Sequence, residues 1–201
     1  MAIDENKIIV RDNYLPDKDF TAMKSYFLSN QCYWYYCGNY GGGYPQMEHT
    51  FYGETMGVQR YPNTPMVANA GMEVMSPILR SFGFAALIRI RAICNWRTNP
   101  NTMTQRDWHV DVPFDCTTAI YYLNDSDALT LFKDGDNEPF EVETKANRLV
   151  EFPSQYQHAV TPMTTPSRRV LINFNFIRAG KLEGNMTYIS HELDSNQHPM
   201  T

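Results

Sequence analysis

The sequence predicts a mainly β protein, an antiparallel sandwich or barrel preceded by two helices. Three observations carry this. Beyond residue 86, about eight short apolar or alternating runs follow one another, with turn signals between them and no helical pattern. Aromatic residues make up 13% of the chain, thirteen of them tyrosine, which suits pleated, half-buried surfaces. Ahead of residue 86, apolar residues recur twice at helical rather than alternating spacing.

The elements follow in order. Ile8 to Val10 read as a short leading strand. After Pro16, the run Asp17 to Leu28 reads as a packing helix: Phe20, Met23, Phe27 and Tyr26 share one face, and Asp17 and Asp19 suit the helix start. Residues 33–44 set rings around Gly41-Gly42-Gly43, and consecutive glycines are costly inside a long regular element. Two readings fit: a structural loop covering an open edge, or a mobile ring-lined lid over a ligand. His49 reads as a solvated loop histidine. Thr64-Pro65 resembles an N-cap with proline in the first turn, and the stripe Met66, Val67, Ala70, Val74 and Ile78 carries a helix to about Ser81. Pro77 should kink or interrupt it near Ser76. Strands are then expected over 87–94, 106–112, 117–123, 129–132, 140–143, 148–152, 158–160 and 168–177. The polar tail from Lys181, with His191 and His198, is expected at the surface.

Length and composition bound the rest. With 201 residues, 43% of them hydrophobic, the chain suits one domain, divided as helical support 1–85, barrel core 86–178 and tail 179–201. A net charge of −5 argues against general attraction to nucleic acid, while leaving room for a local basic groove. The first residues lack the basic-then-apolar pattern of a signal peptide, and no apolar run reaches membrane-spanning length. Cys32 and Cys37 are close enough for a zinc clip, but Cys94 and Cys116 form no second close pair. Free thiols in a reducing, cytoplasmic setting are the simpler expectation.

Within the run 106–112, Trp108-His109-Val110-Asp111 sets a histidine and an aspartate two positions apart, on one face of an extended strand. Imidazole and carboxylate there could share a divalent metal and leave coordination positions open. A lone His-x-Asp arises easily by chance, so its surroundings decide. His158 on a later strand completes two histidines and one carboxylate, the ligand set of a non-haem iron(II) facial triad. Ordinary hydrogen-bonded residues are the plain alternative. An anionic co-substrate on the open metal face would need a fixed cation, and arginine forks onto a carboxylate bidentately. On the last strand Arg169, Leu171, Asn173 and Asn175 share one face, and Arg168, Val170, Ile172, Phe174 and Phe176 the other. A cavity with polar contents takes the asparagine face, which favours Arg169 over Arg168.

In this order the residues resemble the iron(II)- and 2-oxoglutarate-dependent oxygenases, particularly the prolyl-4-hydroxylase-like group. The family pattern of His-x-Asp, a distant His and then an Arg or Lys appears as His109-Val110-Asp111, His158 and Arg168-Arg169. Thr118 to Asn124 is similar to the Ile-Tyr-Tyr-Leu-Asn strand of the hypoxia-type prolyl hydroxylases, whose second tyrosine helps bind the far carboxylate of 2-oxoglutarate; that role would fall to Tyr122. Asn147 to Pro153 resembles the strand leading to the distal histidine, and His158-Ala159-Val160 the His-x-Val that follows, with Val160 near the co-substrate. The resemblance covers roughly residues 87 to 177. Three departures stand out. The usual Gly-Gly before the fourth strand is Asp127-Ala128. The upstream co-substrate tyrosine of the hypoxia-type enzymes has no clear counterpart, leaving Arg91 or Asn95 for that role. Where the nucleobase-demethylating relatives carry a second arginine, this chain has Asn175, which weighs against that subgroup.

The resemblance implies a double-stranded β-helix, jelly-roll or cupin-like, with the N-terminal helices packed on one sheet. It implies Fe(II) held by His109, Asp111 and His158, with 2-oxoglutarate and O2 as co-substrates and Arg169 and Tyr122 on the far carboxylate. The activity implied is a dioxygenase that hydroxylates a peptidyl or protein side chain such as proline. A hydroxylase of a free small molecule or nucleotide, and a non-catalytic metal-binding barrel, are the alternatives. Trp108 and the rings of 33–44 are candidates for lining or covering the substrate side.

Overall fold

Strand-forming runs in this chain pair mostly with distant partners, so that two stacked sheets form. The computed structural model describes residues 3–40, 44–53, 70–96, 108–165 and 168–180. These contain β1 (Ile9–Arg11), α1 (Asp17–Leu28), β2 (Tyr35–Tyr40), β3 (Tyr44–Tyr52), α2 (Ala70–Ser81), β4 (Phe84–Trp96), β5 (Thr117–Tyr122), β6 (Ser126–Phe132), β7 (Phe140–Thr144), β8 (Arg148–Pro153), β9 (His158–Val160) and β10 (Arg168–Arg178). A seven-stranded antiparallel sheet runs β1-β8-β5-β10-β4-β3-β2, and a three-stranded one runs β7-β6-β9. This is a mainly β, double-stranded β-helix arrangement.

The two faces of the large sheet differ in what covers them. On the outer face, Ile90, Ala92, Tyr121, Leu149, Val170, Ile172, Phe174 and Phe176 pack with Met23 and Phe27 of α1 and Met75 and Ile78 of α2. Each fully buried side chain of this size contributes about 1.5–3 kcal/mol, which makes the helices an integral cover for the sheet. Between the two sheets, Ile120, Tyr122, Phe132, Val142, Val150, Phe152 and Leu171 fill one part of the barrel with a second core. Asn147, in a left-handed turn, ties the N-terminal segment to this frame. Its Oδ1 accepts from the Leu15 N–H at 2.9 Å and from the Tyr121 hydroxyl at 2.7 Å, while its Nδ2 donates to the Leu15 carbonyl. Among the described residues, no helix is long and apolar enough to cross a membrane.

Several expectations are corrected. Within 33–44, the described residues Tyr35 to Tyr40 are not a loop or lid: they pair with β3, which pairs in turn with β4. The strand-forming rings and Cys37 outweigh the glycines, which fall at 41–43, outside the described residues. His49 is therefore not a solvated loop residue. It is buried on β3, stacked on Phe51 at 4.0 Å between ring centroids, and its Nδ1 faces the Tyr33 carbonyl at 2.7 Å, which makes Nδ1 the donor. Burial lowers its pKa.

Helix α2 passes through Pro77 without interruption. A mid-helix proline costs about 3 kcal/mol, but Met75 and Ile78 on either side of it are fully buried and hold the helix to the sheet. Thr64, Pro65, Met66 and Val67 lie outside the described residues, as do His191 and His198. The strand expected over 106–112 reduces to one bridge, between His109 and His158, because the chain bends at Asp111 and leaves the ladder; residues 97–107 lie outside the described residues.

Candidate metal and co-substrate site

The register of three neighbouring strands builds a polar wall inside the barrel. Arg89, Arg91, Ile93 and Asn95 of β4 stand opposite Asn175, Asn173, Leu171 and Arg169 of β10. Thr118, Ile120 and Tyr122 of β5 stand opposite Asn175, Asn173 and Leu171 on the other side. Directly opposed residues share a face, and here that face turns inward because the helices occupy the outer one. Buried polar groups must find partners, and these find one another: Arg89 Nε donates to Asn175 Oδ1 at 2.9 Å, and Asn95 Nδ2 to Gln46 Oε1 at 3.2 Å.

The His109–His158 bridge brings the two sequence-distant histidines together. His109 N donates to the His158 carbonyl at 3.1 Å and His158 N to the His109 carbonyl at 2.9 Å, with ring centroids 4.4 Å apart. Asp111 follows two residues on, so that one ligand atom from each of His109, Asp111 and His158 lies within 4.8 Å of the others. Among the described residues this is the one such cluster, and Cys32, Cys37, Cys94 and Cys116 are free thiols rather than a zinc clip.

The Asp111 side chain is only 1% exposed. Its Oδ1 is 2.8 Å from Arg89 Nη2 and 3.8 Å from Arg91 Nη2, whereas its Oδ2 accepts from Asn173 Nδ2 at 2.7 Å and lies 3.7 Å from His158 Nε2. Burial pushes this carboxyl up, but the cationic groups around it, Arg89 and Arg91 among them, hold it well below the usual carboxylate range. Burial pushes the His158 imidazole down to about 4, against the pull of Asp111. His158 Nδ1 faces the Tyr156 carbonyl at 3.2 Å, leaving Nε2 toward Asp111. A carboxylate kept ionised and an imidazole kept neutral are in the protonation states that metal binding requires. Two imidazoles and one carboxylate converging on one point suit Fe(II) with positions left open.

A cavity of about 260 Å³ extends from this cluster along β10, lined by Asn173, Leu171 and Arg169 and by Ile93, Ile120 and Val160. Four residues of strand carry it about 13 Å from Asn173 to Arg169. Arg169 is 3% exposed, its Nε donating to Thr144 Oγ1 at 3.0 Å and its Nη2 to Thr130 Oγ1 at 2.9 Å, with its guanidinium 5.1 Å from the Tyr122 ring centroid. Among the described residues no carboxylate lies within ion-pair distance of it. Burial lowers its pKa, yet a guanidinium stays charged.

Of the residues singled out from sequence, His109, Asp111, His158, Arg169, Val160, Asn95 and Arg91 all line this cavity. Tyr122 does not: it lies fully buried against Arg169, with its hydroxyl 2.7 Å from Thr130 Oγ1. Arg168 points to the other face, exposed, with Nη2 3.3 Å from the Leu28 carbonyl. Trp108 and the described rings of 33–44 are absent from the lining, contrary to expectation. Thr130, Thr144, Gln46 and Arg89 were not singled out. Only Arg89 left a trace, being in phase with Arg91 on an alternating strand; no short motif marks the others.

Residues 98–177 match the sequence model of the family described as the 2OG-Fe(II) oxygenase superfamily. A search of curated proteins finds no match. Among solved structures, a prolyl hydroxylase from Trichoplax adhaerens, in complex with a hypoxia inducible factor oxygen degradation domain peptide fragment, is 15% identical, with 85% of this chain and 84% of that one covered at a TM-score of 0.58. A Pseudomonas putida prolyl-4-hydroxylase is also 15% identical, with 87% and 94% covered at 0.58. The non-heme alpha ketoglutarate dependent epimerase SnoN from nogalamycin biosynthesis is 11% identical, with 86% and 79% covered at 0.61. At such identities the likeness is one of fold. The barrel segment that carries His109, Asp111, His158 and Arg169 is thus the part of this chain that is similar to the 2OG-Fe(II) oxygenase superfamily.

Proposed function

We propose that the chain is an Fe(II)- and 2-oxoglutarate-dependent hydroxylase in which His109, Asp111 and His158 hold the metal and Arg169 takes the far carboxylate of 2-oxoglutarate. The observation that carries this reading is Arg169. A buried guanidinium bonded to hydroxyls and a ring, with no carboxylate in reach among the described residues, is costly until an anion pairs with it. It stands a few strand residues from a cluster whose donor set fits Fe(II). Iron with 2-oxoglutarate and O2 supplies the oxidant that puts one oxygen atom into a substrate C–H bond while 2-oxoglutarate loses CO2 to become succinate.

The chain's own residues would do the rest. Thr130 and Thr144 fix the plane of the Arg169 fork, and Tyr122 supports it from beneath. Ile93, Ile120, Leu171 and Val160 offer apolar walls for the methylenes of the co-substrate and keep water from it. On the β4 wall, Arg91 stands opposite Asn173, at the end of the cavity nearer the metal cluster, and Asn95 stands opposite Arg169, at the far end.

For the substrate we favour a peptidyl or protein side chain such as proline. The support is the higher identity to the two prolyl hydroxylases, 15% against 11% for the epimerase. A small-molecule substrate is the second reading, supported by the TM-score of 0.61 with that epimerase. The test is succinate formation from 2-oxoglutarate with Fe(II) and O2, joined to a mass screen for one added oxygen on proline-containing peptides and on a small-molecule panel. His109→Ala should abolish turnover. Turnover that survives this substitution overturns the metal assignment, and a mass shift confined to the small molecules overturns the peptide reading.

A further inference from the structure

We infer that Arg89 is a positioning residue that clamps Oδ1 of Asp111 so that Oδ2 alone is presented to the metal. The inference rests on the reading of His109, Asp111 and His158 as metal ligands and goes beyond it.

The two oxygens of Asp111 face different partners. Oδ1 is the one 2.8 Å from Arg89 Nη2, and Oδ2 is the one 3.7 Å from His158 Nε2. Arg89 is itself held. Its Nε donates to Asn175 Oδ1 at 2.9 Å, directly opposite in register, and Asn175 Nδ2 donates onward to Thr118 Oγ1 at 2.9 Å. Asn173 closes the ring: its Oδ1 accepts from Arg89 Nη2 at 3.5 Å while its Nδ2 donates to Asp111 Oδ2 at 2.7 Å. All of these side chains are buried.

Asp111 needs such a clamp because its backbone sits in a bend, beyond the single bridge that fixes His109. A carboxylate there could rotate to swap its oxygens, or turn both toward the metal and take up one coordination position more. Pairing Oδ1 with a guanidinium disfavours both and leaves the carboxylate a one-oxygen ligand, which keeps positions open for co-substrate and O2. The positive charge of Arg89 opposes the cation, but removing partners that orient metal ligands usually weakens binding by roughly 10–100-fold, so orientation wins.

The experiment is Co(II) binding to the full chain, followed by its visible absorption and by chelator competition, for the wild type, Arg89→Lys and Asn175→Ala. Melting in chelator is recorded beside it. Arg89→Lys should raise the Co(II) Kd roughly 10–100-fold. Asn175→Ala, which keeps the guanidinium but removes its anchor, should shift Kd the same way by a smaller factor. Folded variants that bind Co(II) within about twofold of wild type, even if they melt lower in chelator, would show a merely structural role and overturn the inference. Should Arg89→Lys not fold, Asn175→Ala decides alone. A wild-type chain that takes up no Co(II) would sink the metal assignment itself, a result distinct from unchanged affinity in the variants.

Discussion

Arg168 and Arg169 are chemically identical neighbours with opposite fates. One faces solvent and the Leu28 carbonyl; the other is buried among Thr130, Thr144 and Tyr122. Arg169→Ala should raise the KM for 2-oxoglutarate roughly 10- to 100-fold, the loss of a charged hydrogen-bonding partner worth about 1.5–3 kcal/mol. Arg168→Ala should leave it unchanged. Steady-state kinetics at fixed Fe(II) separates the two, and an equal effect at both would defeat the phase argument. A second prediction concerns Cys32, whose thiol is pushed up to about 12 by burial first and by Cys94 beside it. The reactive thiolate is therefore scarce at neutral pH. Iodoacetamide at pH 8 should label Cys32 in the native protein far more slowly than in denaturant, as read by peptide mapping.

At the scale of elements, the period-two runs from β5 to β10 were legible because each alternates or is bounded by turn residues. The β2–β3 hairpin was not, because its glycines mask strand-forming rings and its pairing with β4 is a long-range choice. The chain just past the end of β3 is tightly packed on β4. Gly53 has φ +77°, and a Cβ there would lie 2.1 Å from the Ile88 carbonyl oxygen of β4. Gly53→Ala should destabilise the protein by at least about 1–3 kcal/mol from backbone strain alone, with a lowered Tm as the readout. An unchanged Tm would mean that the β3–β4 contact is looser than it looks. Helix α1 gives the matching test of packing: Phe27, 1% exposed against Phe51, should cost about 3–5 kcal/mol when cut to Ala.

For the molecule as a whole, the metal-free site has a pH signature. In the fold, burial keeps His158 neutral down to about 4, whereas an unfolded imidazole takes its proton near 6.5. Between those values the unfolded chain binds a proton that the folded one refuses. Stability in chelator is therefore complete above about pH 6.5 and should fall, by on the order of 3 kcal/mol, as pH drops toward 4. Asp111, also depressed, continues the loss below the ordinary aspartate range. Melting in EDTA between pH 7 and 4.5 checks this, and His158→Gln should flatten the slope; a slope unchanged by that substitution would remove His158 as its source.

The strands after residue 86, apart from the expected 106–112, and the polar phase of β10 were readable from local period and spacing, while the series His109-x-Asp111, His158 and Arg169 was readable as an ordered resemblance to a family. Tertiary structure alone decided which face of β4 turns inward, that His49 is buried, and that Arg89, Thr130 and Thr144 join the site. Those outcomes depend on cross-strand register and on which sheet face the helices cover. Both are set by contacts between residues far apart in the chain, which leave no periodic trace in either segment alone.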